Sequence, residues 1–387
     1  MSRGAAAPRR VVLLGATGSI GRQACDVIRR YPDHFRLVGV VGGSDAAALS
    51  AVIDEFRVQR SALAAAPAGS RLPEGCGGGL EAACEVAAMD SDVVCVAITG
   101  AAALRPTLAA IDAGRVVATA TKEVLVMAGD LVRRRATAAG ARLVPIDSEH
   151  SALWQCLRGE DVATVKRLVL TASGGPFRNR APETLSVVTP AEALRHPTWV
   201  MGPKVTIDSA TMMNKGLEIL EAHFLFGVDY ARIEVAIHPD SVVHSYVEFW
   251  DGAIVAQLGA PDMRVPIALA LSDGARLPGV GNTLELRGSR PIEVLPVNLE
   301  RFPAVAVARR AGERGGVAPA ALNAANEVAV AAFLAGTCRF DEIVPTVASA
   351  MDAAPDVPRP SLDDILDADS SAREHARVRL TSGAPLA

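Results

Sequence analysis

Two carboxylates near the middle of the chain are spaced so that they could hold one metal ion. Asp147 and Glu149 stand two residues apart in the run IDSEH (146–150). Side chains two apart on an extended segment point the same way, so both carboxylates could chelate a single cation. The alternative is that Asp147 caps the following helix while Glu149 favours its dipole. The segment taken alone favours that alternative.

A second segment, DSATMMNKGLE (208–218), predicts a helix with three polar side chains on one face. Glu218 follows Asn214 by four residues and Lys215 by three, the spacing of neighbours on a helix surface. A surface ion pair between Lys215 and Glu218 is the alternative, although a Met-Met-Asn-Lys-Gly run is not typical of a solvent-facing helix. Together with the two carboxylates above, Glu218 completes an oxygen-ligand set that suits Mg²⁺ or Mn²⁺.

A glycine-containing turn is a candidate phosphate site. The run TASGGP (171–176) follows a predicted strand, and its consecutive backbone N–H groups with the Ser173 hydroxyl could enclose a phosphate. A plain turn would explain the run equally well. Ser209, Asn214 and Lys215 would add the donors that a phosphate monoester needs.

The run HPTWVMG (196–202) predicts a loop that closes over a ligand and excludes water. Local packing of Trp199 is the alternative. His196 lies in this loop, whereas His238 and His244 fall within predicted strands. Structural histidines are common in strands, so we assign His238 and His244 no chemistry.

Near the start of the chain, GATGSIG (15–21) directly follows a predicted strand and opens a helix. Glycines in that position allow a pyrophosphate to approach the backbone N–H groups at the helix N-terminus, although an ordinary strand-to-helix turn is the alternative. At the end of the second strand, Asp45 hints at NADH because an acidic residue favours the ribose 2′-hydroxyl. Asp45 could equally cap the next helix.

Alternating strands and helices must position the glycine-rich turn. The first third of the chain alternates apolar, β-branched runs with helical patterns, which indicates a parallel sheet covered on both faces. We therefore predict a doubly wound domain over 1–146. Its predicted strands are 11–15, 35–41, 91–98, 114–120 and 141–146. The Gly/Ala/Pro-rich stretch 64–79 predicts a surface connection or a weakly ordered insertion.

The remaining sequence predicts three further parts. Residues 147–273 predict a central α+β domain with a hairpin turn near Asp251-Gly252. Residues 274–301 are rich in Gly and Pro and predict a linker. Residues 302–387 carry apolar residues at helical spacing, which predicts a closing helical bundle. The predicted strands of the central domain are 165–172, 232–239, 241–252 and 253–259.

The composition indicates a folded protein without a nucleic-acid or membrane surface. Of 387 residues, 50% are hydrophobic and 21% charged, with a mean hydropathy of +0.26, so disorder is excluded. The net charge is −4 without a long block of like charge, and no apolar run reaches the roughly 18 to 20 residues of a membrane span. The basic and apolar start could pass for a signal peptide, but the glycine-rich turn follows at once, so we predict a first strand there. Six cysteines without metal or disulfide spacing predict reduced thiols and a cytoplasmic location.

Nine motifs occur in the order found in one enzyme family. They are GATGSIG, TKEVLV, IDSEH, ASGGPF, HPTWVMG, DSATMMNKGLE, IHPDSVVHS, LGAPDMRVPIA and LNAANEVAVAAF, which span nearly the whole chain. Together they resemble 1-deoxy-D-xylulose 5-phosphate reductoisomerase. The resemblance implies an NADPH- and divalent-metal-dependent oxidoreductase that makes 2-C-methyl-D-erythritol 4-phosphate by skeletal rearrangement and reduction, in non-mevalonate isoprenoid synthesis. It also implies a Rossmann-like first domain and a homodimer.

The resemblance further implies which residues act. The metal, Mg²⁺ or Mn²⁺, would bind Asp147, Glu149 and Glu218. The sugar phosphate substrate would bind Lys122, Ser148, Glu149, Ser173, His196, Ser209, Asn214, Lys215 and Glu218. NADPH would contact Thr17, Gly18, Ser19, Ile20, Gly43, Ser44, Thr121, Glu123 and Gly202. The metal would stabilise the oxyanion that develops during rearrangement, and the aldehyde so formed would accept a hydride.

Five residues depart from the family pattern. The family usually has Asn where this chain has Thr121, a small residue at Val124, and HPQS where Asp240 stands. Many members also have Lys-Asn where this chain has Ser44-Asp45. None of these changes removes a metal or phosphate ligand, so we expect retained NADPH use with weakened discrimination against NADH.

Two other functions stay open at this point. A dehydrogenase of the aspartate-semialdehyde type would need a nucleophilic cysteine with a histidine partner. Cys156 is the cysteine near the candidate motifs, but it lies in a predicted helix without an obvious activating group. A nucleotide-binding regulator that performs no chemistry is the second alternative, against which the carboxylate trio argues.

Overall fold

The computed structural model describes residues 7–66, 72–199, 201–287 and 291–382. The strands of this part are β1 (Arg9–Leu14), β2 (Phe35–Gly42), β3 (Arg60–Leu63), β4 (Cys76–Gly78), β5 (Val93–Val96), β6 (Val116–Thr119), β7 (Arg142–Pro145), β8 (Val165–Ala172), β9 (Ile233–Ile237), β10 (Val243–Phe249), β11 (Ile254–Leu258) and β12 (Leu295–Pro296). The α-helices are α1 (Ser19–Arg30), α2 (Ala46–Phe56), α3 (Gly79–Ala88), α4 (Leu104–Asp112), α5 (Lys122–Ala139), α6 (Ser148–Cys156), α7 (Pro190–Ala193), α8 (Pro203–Thr211), α9 (Met213–Phe226), α10 (Arg264–Leu271), α11 (Pro303–Arg314), α12 (Ala318–Leu334), α13 (Ile343–Ala353) and α14 (Leu362–Ser382). None of the described helices is both long and apolar enough to cross a membrane.

The chain forms two compact units. The first unit comprises Met1–Val124, Val132–Ser151 and Asp262–Asn282. Its seven-stranded sheet has the order β4-β3-β2-β1-β5-β6-β7, and every neighbouring pair is parallel. The order reverses between β1 and β5, so the carboxyl ends of these strands form the switch point at which open α/β sheets bind ligands. The predicted doubly wound sheet is confirmed.

Two neighbouring strands at one edge of this sheet, β3 and β4, were not predicted. The stretch 64–79 was expected to be a surface connection, but Cys76–Gly78 is the edge strand β4 and pairs with β3. Strand β4 has the sequence CGG, without the β-branched residues and alternation that identify a strand. The expectation of a surface connection was therefore wrong for these three residues. Residues 67–71 of the same stretch lie outside the described residues.

Residues 262–282 join the first unit, although they follow strands of the second. The Tyr31 hydroxyl donates a hydrogen bond to the Pro278 carbonyl at 2.8 Å. Arg142, on β7, forms an ion pair with Asp273 at 2.7 Å. Helix α10 of this segment packs against α1. Residues 262–282 thus add a helix, but no strand, to the first unit, although they are distant in sequence from its sheet.

The second unit comprises Leu125–Leu131, Ala152–Pro261 and Thr283–Ala387. Its five-stranded sheet has the order β11-β10-β8-β9-β12, in which β8 and β9 are parallel and the other pairs are antiparallel. The predicted hairpin is confirmed between β10 and β11. Asp251 Oδ1 accepts a hydrogen bond from the Ala253 N–H at 2.9 Å, and Gly252 has a φ of 91°.

One hydrophobic core joins the sheet of the second unit to the C-terminal helices. Leu168 on β8, Leu217 on α9, Ala308 on α11, Leu322 on α12 and Val347 on α13 are buried in a single cluster. The predicted C-terminal helical bundle is confirmed, and its helices share the core of the α+β sheet. The helices that carry candidate site residues therefore rest on a rigid base.

Candidate functional site

The glycine-rich turn places backbone groups at the carboxyl end of β1. The N–H groups of Gly15 and Ala16 donate to the Val41 carbonyl at 2.8 and 2.9 Å, which ties the turn to β2. Gly15 has a φ of 90°, and a Cβ on Gly21 would collide with the Gly15 carbonyl, so neither position tolerates a side chain. The predicted nucleotide residues of this turn lie at the N-terminus of α1. They are Thr17, Gly18, Ser19 and Ile20.

The end of β2 lies beside this turn, and its Asp45 is a helix cap. Asp45 Oδ1 accepts a hydrogen bond from the Ala48 N–H at 2.9 Å and caps α2. Of the two interpretations of Asp45, the structure shows the cap. Gly43 and Ser44, which were predicted to contact the nucleotide, are exposed directly before it.

The start of α5 holds three further predicted residues. The Thr121 hydroxyl donates to the Ile98 carbonyl at 2.6 Å, which ties the start of α5 to the end of β5. Lys122 and Glu123 are the first two residues of the helix, and both are buried. Thr121 therefore retains a side-chain hydrogen bond at a position where Asn is usual in the family that the motifs resemble.

Lysine and carboxylate side chains meet at the end of β7. Lys122 Nζ forms an ion pair with Asp147, and both side chains are mostly buried, with 10% and 12% exposed. The Ser148 hydroxyl donates to Glu149 Oε2 at 2.6 Å. The first unit thus brings together four predicted substrate and metal residues from α5 and from the start of α6.

A buried charged group lies on α9. Glu218 has no exposed area, and its two oxygens accept from Asn214 Nδ2 and from Lys215 Nζ, both at 2.5 Å. The predicted shared face is confirmed. Lys215 and Glu218 are buried, so the alternative of a surface ion pair is wrong. Lys215 compensates the charge of the Glu218 carboxylate, which burial would otherwise make very costly.

Helices α8 and α9 are joined by one residue in the left-handed conformation. Met212 has a φ of 63° and is buried. A non-glycine residue in this region is strained, and such residues persist where the surrounding packing holds them. This break turns the chain between Ser209 on α8 and the polar face of α9.

The candidate phosphate turn is held against α8 and the loop. Gly175 has a φ of 67°, and a Cβ on it would lie 2.6 Å from the Ser209 carbonyl, so the turn approaches α8 closely. Ser173 Oγ lies 3.0 Å from His196 Nε2 and accepts from the Gly175 N–H at 3.2 Å. The structure therefore brings Ser173, His196 and Ser209 into one neighbourhood.

The hydrogen bonds of His196 define its tautomer. Nδ1 accepts from the backbone N–H groups of Thr198 and Trp199 at 3.2 and 2.9 Å. Nε2 therefore carries the proton and donates to Ser173 Oγ. Burial, and to a smaller extent the charge of Lys215, lower the pKa of His196 to about 4. The ring is neutral at pH 7.

The loop ends at Gly202, which is the residue before α8 and is exposed. The Gly202 carbonyl accepts from the Thr206 N–H at 3.1 Å. Residue 200 of the loop lies outside the described residues.

Sequence reasoning assigned no chemistry to His244, yet the structure places it among these residues. Its ring is buried, and its centroid lies 6.3 Å from that of Trp199 in the loop. Burial lowers the pKa of His244 below its ordinary value, with a smaller contribution from Lys215. Both faces of β10 are mostly buried, so no alternation in the sequence marks this residue.

The carboxylates match the chemistry of the predicted metal. Asp147, Glu149 and Glu218 offer only oxygen donors, which hard cations such as Mg²⁺ and Mn²⁺ prefer. Asp147 and Glu218 are each paired with a lysine, so ammonium groups now supply the positive charge that a cation would bring. The donor set fits a divalent cation.

Cys156 shows no sign of nucleophilic activation. Burial raises the pKa of its thiol to about 11, so the thiolate is scarce at neutral pH. This disfavours the dehydrogenase alternative that requires a reactive cysteine.

Models of one enzyme family match most of the chain. Residues 11–129 match a model described as 1-deoxy-D-xylulose 5-phosphate reductoisomerase, and residues 143–226 match the model of its C-terminal domain. Residues 258–375 match a model described as DXP reductoisomerase C-terminal domain.

Individual relatives agree over nearly the full length. A 1-deoxy-D-xylulose 5-phosphate reductoisomerase from Leifsonia xyli subsp. xyli is 51% identical over 345 residues, which cover 89% of this chain and 91% of that protein. One from Gloeobacter violaceus is 47% identical over 380 residues, which cover 95% of this chain and 97% of that protein.

Solved structures agree in fold. The Zymomonas mobilis enzyme in complex with NADPH has a TM-score of 0.89 at 39% identity, covering 97% of this chain and all of that one. A DOX-P reductoisomerase in complex with NADPH, fosmidomycin and magnesium has a TM-score of 0.89 at 38% identity, covering 96% of this chain and 98% of that one.

Proposed function

The chain belongs to the 1-deoxy-D-xylulose 5-phosphate reductoisomerase family, and we propose from this premise which of its residues carry the reaction. The reaction converts 1-deoxy-D-xylulose 5-phosphate into 2-C-methyl-D-erythritol 4-phosphate by skeletal rearrangement and NADPH-dependent reduction. Glu218 is the observation that carries the assignment of residues. A fully buried carboxylate bonded by Lys215 and Asn214 is expensive to keep, and such groups concentrate at functional sites.

Asp147, Glu149 and Glu218 would hold Mg²⁺ or Mn²⁺. When bound, the ion supplies Lewis-acid stabilisation of the oxyanion that develops during rearrangement. With the carboxylates occupied in this way, Lys122 and Lys215 can donate to substrate oxygens. Ser148, which bonds Glu149, would keep that carboxylate oriented.

The phosphate group would bind Ser173, Ser209, Asn214 and Lys215. Ser173 Oγ already accepts two hydrogen bonds, so its own proton is directed toward another acceptor. His196 fixes this arrangement as a neutral donor, and its loop would exclude water from the bound substrate. Binding energy from the phosphate would orient the reacting carbons.

By function, residues 1–146 would bind NADPH, 147–273 would hold metal and substrate, 274–301 would be a linker and 302–387 would form the closing helical domain. The compact units follow other bounds, because 262–282 belong to the first unit and 125–131 to the second. The nucleotide phosphates would lie at the N-terminus of α1, since its first N–H groups and the helix dipole favour anions. The proposed contacts are Thr17, Gly18, Ser19, Ile20, Gly43, Ser44, Thr121, Glu123 and Gly202. The exposed carboxylate of Asp45 near this position supports NADPH use with weakened discrimination against NADH.

Exposed apolar side chains support a homodimer. Trp250 and Ile254 are 63% and 60% exposed, and Ile254 lies on β11, at the edge of the described sheet of the second unit. Further exposed apolar residues of that unit are Val255, Leu286, Ile292, Val294, Leu295 and Leu299. Apolar surface on an edge strand favours association with a second chain. Light scattering should give twice the chain mass, and charged substitutions at Trp250 and Ile254 should give monomers.

A cytoplasmic location is supported by the cysteines. All six are free thiols. Free, mostly buried thiols are typical of a reducing compartment. Fractionation of the native host, followed by detection of the chain, tests this location.

The reaction is tested with purified protein, 1-deoxy-D-xylulose 5-phosphate and NADPH, by following nicotinamide absorbance with and without Mg²⁺ or Mn²⁺. We expect metal-dependent oxidation, and loss of it on chelation. Glu218→Gln should abolish turnover and leave NADPH binding intact. Glu234→Gln is the matched control, because Glu234 is an exposed carboxylate paired with Arg167, and it should leave turnover unchanged. A folded protein that binds NADPH but never oxidises it would favour the regulator.

A further inference from the structure

A buried polar contact connects the C-terminal helix α12 to α8. Asn326 Nδ2 on α12 donates to Asp208 Oδ1 on α8 at 2.8 Å. Asn326 has no exposed area, and Asp208 is 1% exposed. Lys204, one turn earlier on α8, forms an ion pair with the other Asp208 oxygen at 2.8 Å. One carboxylate thus joins two helices whose residues are more than a hundred positions apart.

Apolar packing surrounds this contact on the same pair of helices. Ile207 and Ala210 on α8 belong to one buried cluster with Ala329, Val330 and Phe333 on α12. Apolar contacts of this kind hold the helices together, but they depend less on direction and so contribute less to determining how far one helix slides along the other. A hydrogen bond between an amide and a carboxylate does determine it, because both the distance and the angle matter.

Stability alone does not require a charge at this position. A buried carboxylate loses its hydration, and replacing such a group by well-packed apolar residues is often neutral or favourable. A buried polar pair is better suited to selecting one relative arrangement of the elements it joins. Asp208 directly precedes Ser209, and α8 follows the 196–202 loop and leads into the polar face of α9.

We propose that Asn326, acting through Asp208, is a positioning residue that holds α8 in register for substrate-phosphate binding. The proposal rests on the proposed role of Ser209 in that binding. Asn326 does not need to touch the substrate. Its amide fixes the Asp208 carboxylate, Asp208 fixes the rotation of α8, and that rotation places the Ser209 hydroxyl.

An exchange of the two partners tests the proposal. Asn326→Asp sets a second carboxylate against Asp208, so KM for the sugar phosphate should rise about tenfold or more, with NADPH affinity unchanged. The double variant Asp208→Asn with Asn326→Asp restores one carboxylate and one amide, and should bring KM back to within about threefold of the parent. If Asn326→Asp fails to fold, Asn326→Ala replaces it: this variant removes the amide donor without adding a charge, and it should also raise KM.

Asn323→Asp is the matched control on the same helix. Asn323 is equally buried one turn before Asn326, but it bonds Glu327 at 3.1 Å instead of α8. Its variant should lower the melting temperature without raising KM. Equal increases of KM in the Asn323 and Asn326 variants, or a melting change without any KM change in Asn326→Asp, would overturn the proposal, and so would a failure of the double variant to recover.

Ser209→Ala separates this proposal from the proposed function. If Ser209→Ala leaves KM unchanged, the assignment of the phosphate site is wrong, and the positioning role falls with it. If Ser209→Ala raises KM and Asn326→Asp does not, only the positioning role is wrong.

Discussion

The nucleotide turn presents backbone groups to a ligand, whereas the polar face of α9 presents charged side chains. The turn at 15–21 contains three glycines, and its backbone approaches neighbouring backbone closely because these residues lack a Cβ. The face of α9 consists of Lys215 and Glu218, both buried and neutralised by each other. The first region can bind through backbone groups that change little on binding, whereas the second holds charges whose partners must change when a ligand arrives.

The largest expected effect tests the charge balance on α9. Lys215→Met leaves Glu218 buried without its ammonium partner, so the free energy of unfolding should fall by about 3–5 kcal/mol. The double variant Lys215→Met with Glu218→Leu removes both charges and should recover most of that loss, while staying inactive. Urea unfolding measures both. A single variant as stable as the parent would show that this region does not depend on paired charge.

The next effect tests the turn. Gly21→Val brings a side chain against the Gly15 carbonyl, so affinity for NADPH should fall about a hundredfold or more. Ala51→Val is the matched control, because Ala51 is an exposed residue of α2 in the same unit and lies outside the proposed NADPH contacts. Fluorescence titration with NADPH distinguishes the two variants. Equal losses of affinity would contradict the view that backbone approach determines binding here.

The lowered pKa of His196, in the second unit, predicts that the free energy of unfolding depends on pH. Its pKa is lowered from 6.5 to about 4 by burial, with a smaller contribution from Lys215. Between those values the unfolded chain binds a proton that the folded chain does not, so the free energy of unfolding should rise with pH from about 4 to about 6.5 and then level off. Urea unfolding of the protein and of His196→Gln should show this part of the pH dependence only in the former. An NMR titration midpoint above pH 6 for His196 would be inconsistent with its burial.

The smallest effect concerns Asp45. Asp45→Ala removes the cap of α2 and should lower the free energy of unfolding by about 0.5–2 kcal/mol, whereas Asp45→Asn keeps a capping oxygen and should cost almost nothing. Both variants remove a negative charge, so both should improve NADPH over NADH by a few-fold at low salt. Binding titrations with both nucleotides measure this. An unchanged ratio in both variants would place the carboxylate away from the adenosine ribose.

Features that depend on residues close together in the sequence could be predicted, whereas features that depend on packing between distant residues could not. The strand-to-helix turn at GATGSIG follows from consecutive residues, and the polar face of α9 follows from three- and four-residue spacing, so both structural features were predicted. Strand β4 was missed because Cys76-Gly77-Gly78 carries no strand pattern. His244 and the contact of Asp208 with Asn326 were missed because they depend on packing between residues far apart along the chain. The run at 212–216 argued against a solvent-facing helix, but the sequence did not identify Glu218 as a fully buried carboxylate.

The single left-handed residue between α8 and α9 fixes the distance between the polar groups that these two helices carry. Because Met212 alone separates the two helices, no flexible loop absorbs a change in distance between Ser209 and Glu218. The Ser209 end of this fixed distance would hold the phosphate, and the Glu218 end would hold the metal. A phosphorylated sugar longer or shorter by one carbon would then reach only one end at a time, so chain length itself becomes a criterion of substrate selection.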